Sequence, residues 1–494
     1  MVERSVTQQT PNILLIMADQ LVPFLTGAYG HPVVKTPNLD RLVEGGVRFD
    51  AAYTPYPLCA SARAAFMTGK YASRLGCYDN AAVLHADEPT IAHYLTNAGY
   101  DTVLSGKMHF IGPDQLHGFR HRLTTDVFPA GIIWVPSTDE QGRFPGGGHA
   151  HNYVPPNVGV RAWTKFLSYD EETHFRAMEY LLERGRTRPA EPFFLVASYH
   201  HPHDPFHVTQ ELWNLYEGEE IEIPEYPLNL EETYSAMDRW VNEVHETAKA
   251  DLDNPDNLVQ LRRAYYGLVT YVDRKVGELV AALEQTGQRE DTIVIFTSDH
   301  GDMLAEKRMV QKRCFYEWSA RIPLLVQFPN WQYAGRKVSA PVSLMDLVPT
   351  ILDWVRIPAE ARLPMDATSF AGLMEGGGEE RPVLSEYHVE KVRAPSFMAR
   401  QGRYKYIYIH GHDRQLFDLE ADPGEWNNLA GQPETRAVEE ALHALILAEF
   451  DPEWIEADGA ASVRRREVIK EAMERNGTRW DYFPYFDATK QYVR

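Results

Sequence analysis

Residues 12–17 read NILLIM, and Ala18-Asp19-Gln20 follow at once. A short continuous apolar run of this kind marks a strand buried on both faces. Similar runs recur at 102–104, 193–198, 292–297 and 322–327. Between them lie stretches with helical spacing. One covers 90–97; a longer one, 258–284, carries Leu261, Ala264, Tyr265, Leu268, Tyr271, Val272, Val276 and Leu279 on a single stripe. Strands alternating with helices predict an α/β fold built on a largely parallel sheet covered on both faces. Ligands of such sheets gather beyond the carboxyl ends of the strands. Asp19, Lys107, His201, His203, Asp299 and His300 each follow a strand directly, so one rim of the domain is expected to hold them all.

The texture changes near residue 370. Residues 375–380, EGGGEE, read as a surface loop. Runs at 383–387, 396–400 and 404–410, with Gly402 between the last two, predict an antiparallel hairpin, and helical segments follow at 434–450 and 462–475. The expected division is a catalytic domain over 1–375, a smaller C-terminal α+β domain over 376–475, and a tail over 476–494. The tail ends WDYFPYFDATKQYVR, rich in aromatic residues but without periodicity, and is expected to pack on a neighbouring subunit.

Composition narrows the function. Apolar content of 44% and charged content of 24% in 494 residues suit a globular protein of two domains. The net charge of −21, from 49 basic and 70 acidic residues, argues against nucleic acid as a partner. It also means that an anion can bind only where cations are gathered locally. No apolar run reaches the ~18 residues of a membrane span, and residues 1–11 lack a signal pattern. Three cysteines, Cys59, Cys77 and Cys314, are too few for a disulfide framework. A cytoplasmic protein is the expectation.

Residues 57–70, PLCASARAAFMTGK, place Cys59 four residues before Arg63 at the start of a helix-like run. A helix N-terminus and a nearby guanidinium both favour a thiolate, so Cys59 is a candidate reactive group. Asp19-Gln20 ends one strand and Ser298-Asp299-His300-Gly301-Asp302 another. Carboxylate, amide and imidazole groups converging on one rim can hold a hard cation, Ca²⁺, Mg²⁺ or Mn²⁺ before Zn²⁺. His200, His201 and His203 in YHHPHDP suggest ligation or proton transfer. Lys107 and His109 in SGKMH, with Lys312 in QKR, could clamp an oxyanion.

These segments together resemble the sulfatase branch of the alkaline phosphatase superfamily, and within it the choline sulfatases. PNILLIMADQ, PLCASARAAFMTGKYASR, LSGKMH, HPHDPF, FTSDHGDMLAE and QLFDLEADPGEWNNL carry the branch resemblance. SGKMHFIGPDQLHGF, RLTTDVFPA and the closing WDYFPYFDATKQYVR carry the narrower one. The resemblance implies an alkaline-phosphatase-like fold: a large mixed, mostly parallel sheet between helices, with a smaller C-terminal α+β domain. It implies that Cys59 is oxidised to formylglycine by a maturing enzyme, and that Asp19, Gln20, Asp299 and His300 hold a divalent metal, usually Ca²⁺. Arg63 would steady the nucleophile, while Lys107, His109, His203 and Lys312 would contact the sulfate or the leaving oxygen. Ser61 stands where the family normally has Pro or Ala.

For the alcohol half, the resemblance implies choline O-sulfate in a quaternary-ammonium pocket. Trp134, His151 and Asn152 would line it, Glu386 would lie nearby, and Asp481 would come from a neighbouring subunit of a dimer or tetramer. The loop 141–152, QGRFPGGGHAHN, departs from the family pattern. Competing readings are an arylsulfatase or a phosphonate monoester and phosphodiester hydrolase on the same scaffold, and a non-catalytic binding protein if Cys59 stays a thiol.

Overall fold

The computed structural model describes residues 10–136, 138, 148–378, 380–478 and 480. Among them, eight strands make the main sheet. In chain order these are β1 (Asn12–Asp19), β2 (Val47–Phe49), β3 (Asp101–Gly106), β4 (His121–Arg122), β5 (Phe193–Pro202), β6 (Thr292–Ser298), β7 (Leu324–Gln327) and β8 (Arg336–Val338). Their spatial order is β8-β2-β7-β6-β1-β5-β3-β4. The run from β6 through β1, β5 and β3 to β4 is parallel, whereas β7 is antiparallel to both of its neighbours.

β1 lies in the middle because both of its faces are apolar. Ile13, Leu15 and Met17 enter one core, and Leu14, Ile16 and Ala18 enter the other. Each fully buried aliphatic side chain contributes about 1.5–3 kcal/mol, so a strand apolar on one face only would forfeit half of this. Helix α1 (Cys59–Thr68) lies in the first core, with all of its residues buried, and stops at Gly69, whose φ of 71° ends the helix. Helices α2 (Lys165–Thr187) and α3 (Pro255–Gln285) close the second.

The run 322–327 is not one strand. Arg321–Ile322 pairs with Ala52–Tyr53 in a separate ladder, and β7 begins only after Pro323, which has no N–H to give to a sheet. The pattern reading also passes over α2. Its buried positions include Asp170, Thr173 and His174, while Phe175 and Leu182 face solvent, which blurs the apolar stripe.

The smaller sheet is antiparallel: β9 (Val383–Tyr387), β10 (Ser396–Gln401), β11 (Tyr404–Ile409) and β12 (Arg414–Asp418). Helix α4 (Arg436–Glu449) covers it through Leu442 and Ile446 against Phe397, Tyr406 and Leu416. Helix α5 (Pro452–Asn476) begins well before residue 462, because Asp451 accepts from the Trp454 N–H at 3.0 Å and caps it. Two ties hold this part to the body. Lys405 on β11 is buried against Glu317 (2.8 Å) and the Phe315 carbonyl (2.7 Å). Arg466 on α5 makes two 2.6 Å bonds to Asp79. All three cysteines are free and buried, and no helix among the described residues is long and apolar enough to cross a membrane.

Candidate active site

Cys59 opens α1, so the helix's unpaired N–H groups and positive dipole end bear on its side chain. Its Sγ lies 3.2 Å from His300 Nε2 and 3.9 Å from Asp19 Oδ1. One turn further, Arg63 donates to Asp19 (3.0 Å), Asp299 (2.9 Å), the Ser198 hydroxyl (2.9 Å) and the Lys107 carbonyl (2.6 Å). The Lys107 ammonium pairs with Asp19 as well. Burying charges is tolerable only with such matching.

The electrostatics follow from these pairs. Burial pushes the Cys59 thiol up, yet Lys107, Lys312 and His300 outweigh it and hold the group well below the ordinary thiol range. Burial and the Cys59 charge push Asp19 up, but Lys107, His203 and Arg63 hold it well below the usual carboxylate range. Asp299 goes the other way: burial raises it, Arg63 pulls it down, and the nearby Asp19 charge adds to the rise.

One ligand atom each from Asp19, Cys59, Asp299 and His300 lies within 4.8 Å of the others. Two fully buried carboxylates, one still raised by the other's charge despite Arg63, form a donor set that a hard cation fits. Gln20 sits beside them. Its backbone N–H donates to Asp299 (3.2 Å), but its side-chain oxygen accepts from Lys312 and its amide donates to Asp302.

Cys59 opens on a cavity of about 480 Å³. His109, His203 and Lys312 line it next to Cys59, and Phe128, Trp134, Phe166 and His200 supply aromatic walls. His203 Nδ1 donates to the Asp204 carbonyl (2.8 Å), leaving Nε2 to accept from Lys312 (2.9 Å). Among the described residues, both ring nitrogens of His109 are without a hydrogen-bond partner, as are those of His200. His200 stacks on Phe166 at 4.1 Å, and its burial holds it well below the usual imidazole range. His201 is turned away, bonded to Asp170 through Nδ1 (2.5 Å) and its backbone N–H (2.9 Å).

The residues predicted for the alcohol half divide. Trp134 and Asn152 line the cavity; His151 is exposed and does not. The reason is local: Ala150–Tyr153 is a 3₁₀ turn, so positions 149 and 152 share a side and 151 points out. His149 is therefore the lining histidine. Glu386 is also a correction. Its carboxylate accepts from the Ser73 N–H (2.9 Å) and bonds His388 (2.8 Å), and it does not reach the cavity. Asp481, with most of the tail, lies outside the described residues. Sequence reasoning missed Asn80, Arg313, Glu390, Lys391 and Lys470, which line a second part of the cavity. Only their assembly from four separate segments makes them a group.

This fold and this site define a class. Residues 11–357 match the Sulfatase family model, and residues 305–450 match the model for N-sulphoglucosamine sulphohydrolase, C-terminal. The chain belongs to the sulfatase family and is a sulfuric ester hydrolase. It is 39% identical to the choline-sulfatase of Rhizobium meliloti (strain 1021), over 99% of this chain and 96% of that protein. It is 28% identical to an arylsulfatase of Clostridium perfringens (strain 13 / Type A), over 89% of this chain and 94% of that one. Among solved structures, the phosphonate monoester hydrolase of Agrobacterium radiobacter shares the fold, with a TM-score of 0.72 at 24% identity, covering 89% of this chain and 95% of that one. The larger sheet between helices with a smaller C-terminal α+β part is the alkaline phosphatase fold.

Proposed function

We propose that the chain hydrolyses a sulfate monoester through a formylglycine made from Cys59, beside a divalent cation held by Asp19, Asp299 and His300. Ca²⁺ is the favoured ion, with Mg²⁺ or Mn²⁺ as substitutes. The observation that carries the reading is the placement of Cys59 on the α1 N-terminus, 3.2 Å from His300 and open to the cavity. A formylglycine hydrate supplies one hydroxyl to attack sulfur and a second through which sulfate is later released, and the cation draws charge from the sulfate oxygens.

The chain's own residues do the rest. Arg63 fixes Asp19 and Asp299 in place, and Lys107 balances the Asp19 charge. Lys312 and His203 face the cavity as a bonded pair and bind sulfate oxygens there. His109 lines the cavity with both ring nitrogens unengaged among the described residues, which suits it to protonate the departing alkoxide.

For the alcohol, similarity to the Rhizobium meliloti protein makes choline O-sulfate the reference ester. Trp134 supports it, since an aromatic face attracts a diffuse cation. The reading brings with it a cysteine-oxidising partner enzyme, a cytoplasmic setting, and a dimer or tetramer in which the tail crosses to a neighbour. The test is kcat/KM of the calcium-loaded protein on choline O-sulfate, 4-nitrophenyl sulfate and a phenyl phosphonate monoester. Sulfate esters are expected to lead by at least about tenfold, roughly 1.4 kcal/mol in the barrier. The reverse order would reassign the chain to phosphonate monoester or phosphodiester hydrolysis. No turnover of any ester, with Cys59 still a thiol, would make it a binding protein.

A further inference from the structure

Another stretch of the cavity lining gathers Arg313, Lys391 and Lys470 with Glu390, and Asp204 is the other carboxylate lining the cavity among the described residues. The Glu390 carboxylate is already engaged at both oxygens, by Arg313 (2.7 Å) and by the Asn80 N–H (3.0 Å). Lys470 has its nearest acid, Glu474, at 4.0 Å, one turn along α5. Lys391 makes no hydrogen bond or ion pair among the described residues. Burial, then Arg313 and Lys312, bring its pKa down to about 7 against the pull of Glu390 and Asp204. The same field reaches His149, which burial and then Lys391, Arg313 and Lys312 bring down to about 3.

This is a built feature of the fold. Lys391 sits in the connection between β9 and β10 with a φ of 63°, and Val389 two residues earlier has 64°. A β-branched residue in the left-handed region is strained, and strain persists only where the surroundings hold it. Arg313 and Gln311, also left-handed at 78° and 64°, come from a separate segment of the chain. In a chain of net charge −21, a pocket where cations outnumber carboxylates among the described residues is the local exception that binding an anion requires.

We propose that the alcohol half of the ester carries an oxyanion of its own, a carboxylate or a second sulfate, recognised by Lys391 with Arg313 and Lys470. The proposal rests on the sulfatase reading for the other half of the substrate, and it replaces choline by an anionic alcohol. Phe128, Trp134 and Phe166 line the same cavity and suit a small ring or apolar body. Among the described residues the lining sets Lys312, Arg313, Lys391 and Lys470 against Asp204 and Glu390, so a quaternary ammonium would meet an excess of cations there.

The test uses calcium-loaded protein and two readouts. By calorimetry, the alcohols 4-hydroxybenzoate, phenol and choline are titrated; by kinetics, 4-sulfooxybenzoate and 1,4-phenylene disulfate are compared with phenyl sulfate and choline O-sulfate. The oxyanion is expected to gain about tenfold, in binding over phenol and in kcat/KM over phenyl sulfate, the scale of one charge-assisted hydrogen bond. Lys391→Gln should bring both ratios toward one, Lys470→Gln should lower them less, and Lys391→Glu should turn the preference toward choline. Preference for either oxyanion supports the proposal, and the larger of the two identifies which is the ligand. Tighter binding of choline than of 4-hydroxybenzoate, or ratios unchanged in Lys391→Gln, would overturn it. Oxyanion preference in the titrations with no turnover of any ester would uphold the pocket and sink the sulfatase reading.

Discussion

Two groups of cations share one cavity system and are built on opposite plans. Around Cys59, Arg63 and Lys107 are matched by Asp19 and Asp299 at full burial. In the neighbouring part, Lys391 has no partner among the described residues and Lys470 only a distant one. Matched charges hold each other, so the first group is a rigid frame whose loss damages the fold and the chemistry together. Unmatched charges cost a little stability and gain only when a ligand arrives. The contrast predicts different consequences for similar-looking substitutions.

The largest effect is expected for Cys59→Ala. Turnover should fall by at least about 10⁴-fold, as when a covalent nucleophile is removed, with the melting temperature unchanged. Retained hydrolysis would remove Cys59 from the chemistry. Next comes Arg63→Ala, which leaves Asp19 and Asp299 buried without their partner. Breaking such a pair costs about 3–5 kcal/mol, so denaturant unfolding should shift strongly and turnover should be lost. A variant as stable as the parent would show that the matched frame is not what holds this region.

Asp79→Asn weakens the tie to Arg466 that seats α5 and, with it, Lys470. Stability should fall by roughly 1–3 kcal/mol, the cost of a compromised charged hydrogen bond, and KM for an anionic ester should rise more than kcat falls. Equal changes in KM for anionic and neutral esters would detach α5 from ligand recognition.

The smallest effect concerns pH. The folded pKa of Lys391, about 7, lies below its ordinary 10.5, so between these values the unfolded chain holds this proton and the folded chain does not. The group's stability penalty is complete below the folded value and fades as pH rises toward the ordinary one. Lys391→Met should therefore melt about 1–2 °C above the parent near neutrality, and the gap should close toward pH ~10. A gap that widens with pH would contradict the sign.

Much of this was legible in the sequence, for physical reasons. NILLIM reads as a central strand because both of its faces are buried, and 258–284 reads as a helix because its apolar stripe runs on over many turns, although its middle, 264–273, is buried all round. Asp19, Cys59, Asp299 and His300 come together because strand ends and a helix start share one rim. The short strands β2, β4 and β8, only two or three residues long, are too short for periodicity to register. The second part of the cavity was illegible for a different reason. Arg313, Lys391 and Lys470 read singly as surface charges, and only a strained connection and the Asp79–Arg466 tie aim them inward. His151 and Glu386 failed as predictions because a 3₁₀ turn and a backbone acceptor role decide where they point.

The central claim is that the side chain at position 59 becomes an aldehyde. Mass spectrometry of the peptide containing Cys59, taken from protein with measured sulfate ester turnover, tests it most directly. The expected peptide is about 18 Da lighter than the thiol form, in a fraction that tracks specific activity; cysteine's ordinary oxidation products would be heavier. A fully active preparation in which Cys59 keeps the thiol mass would contradict the account.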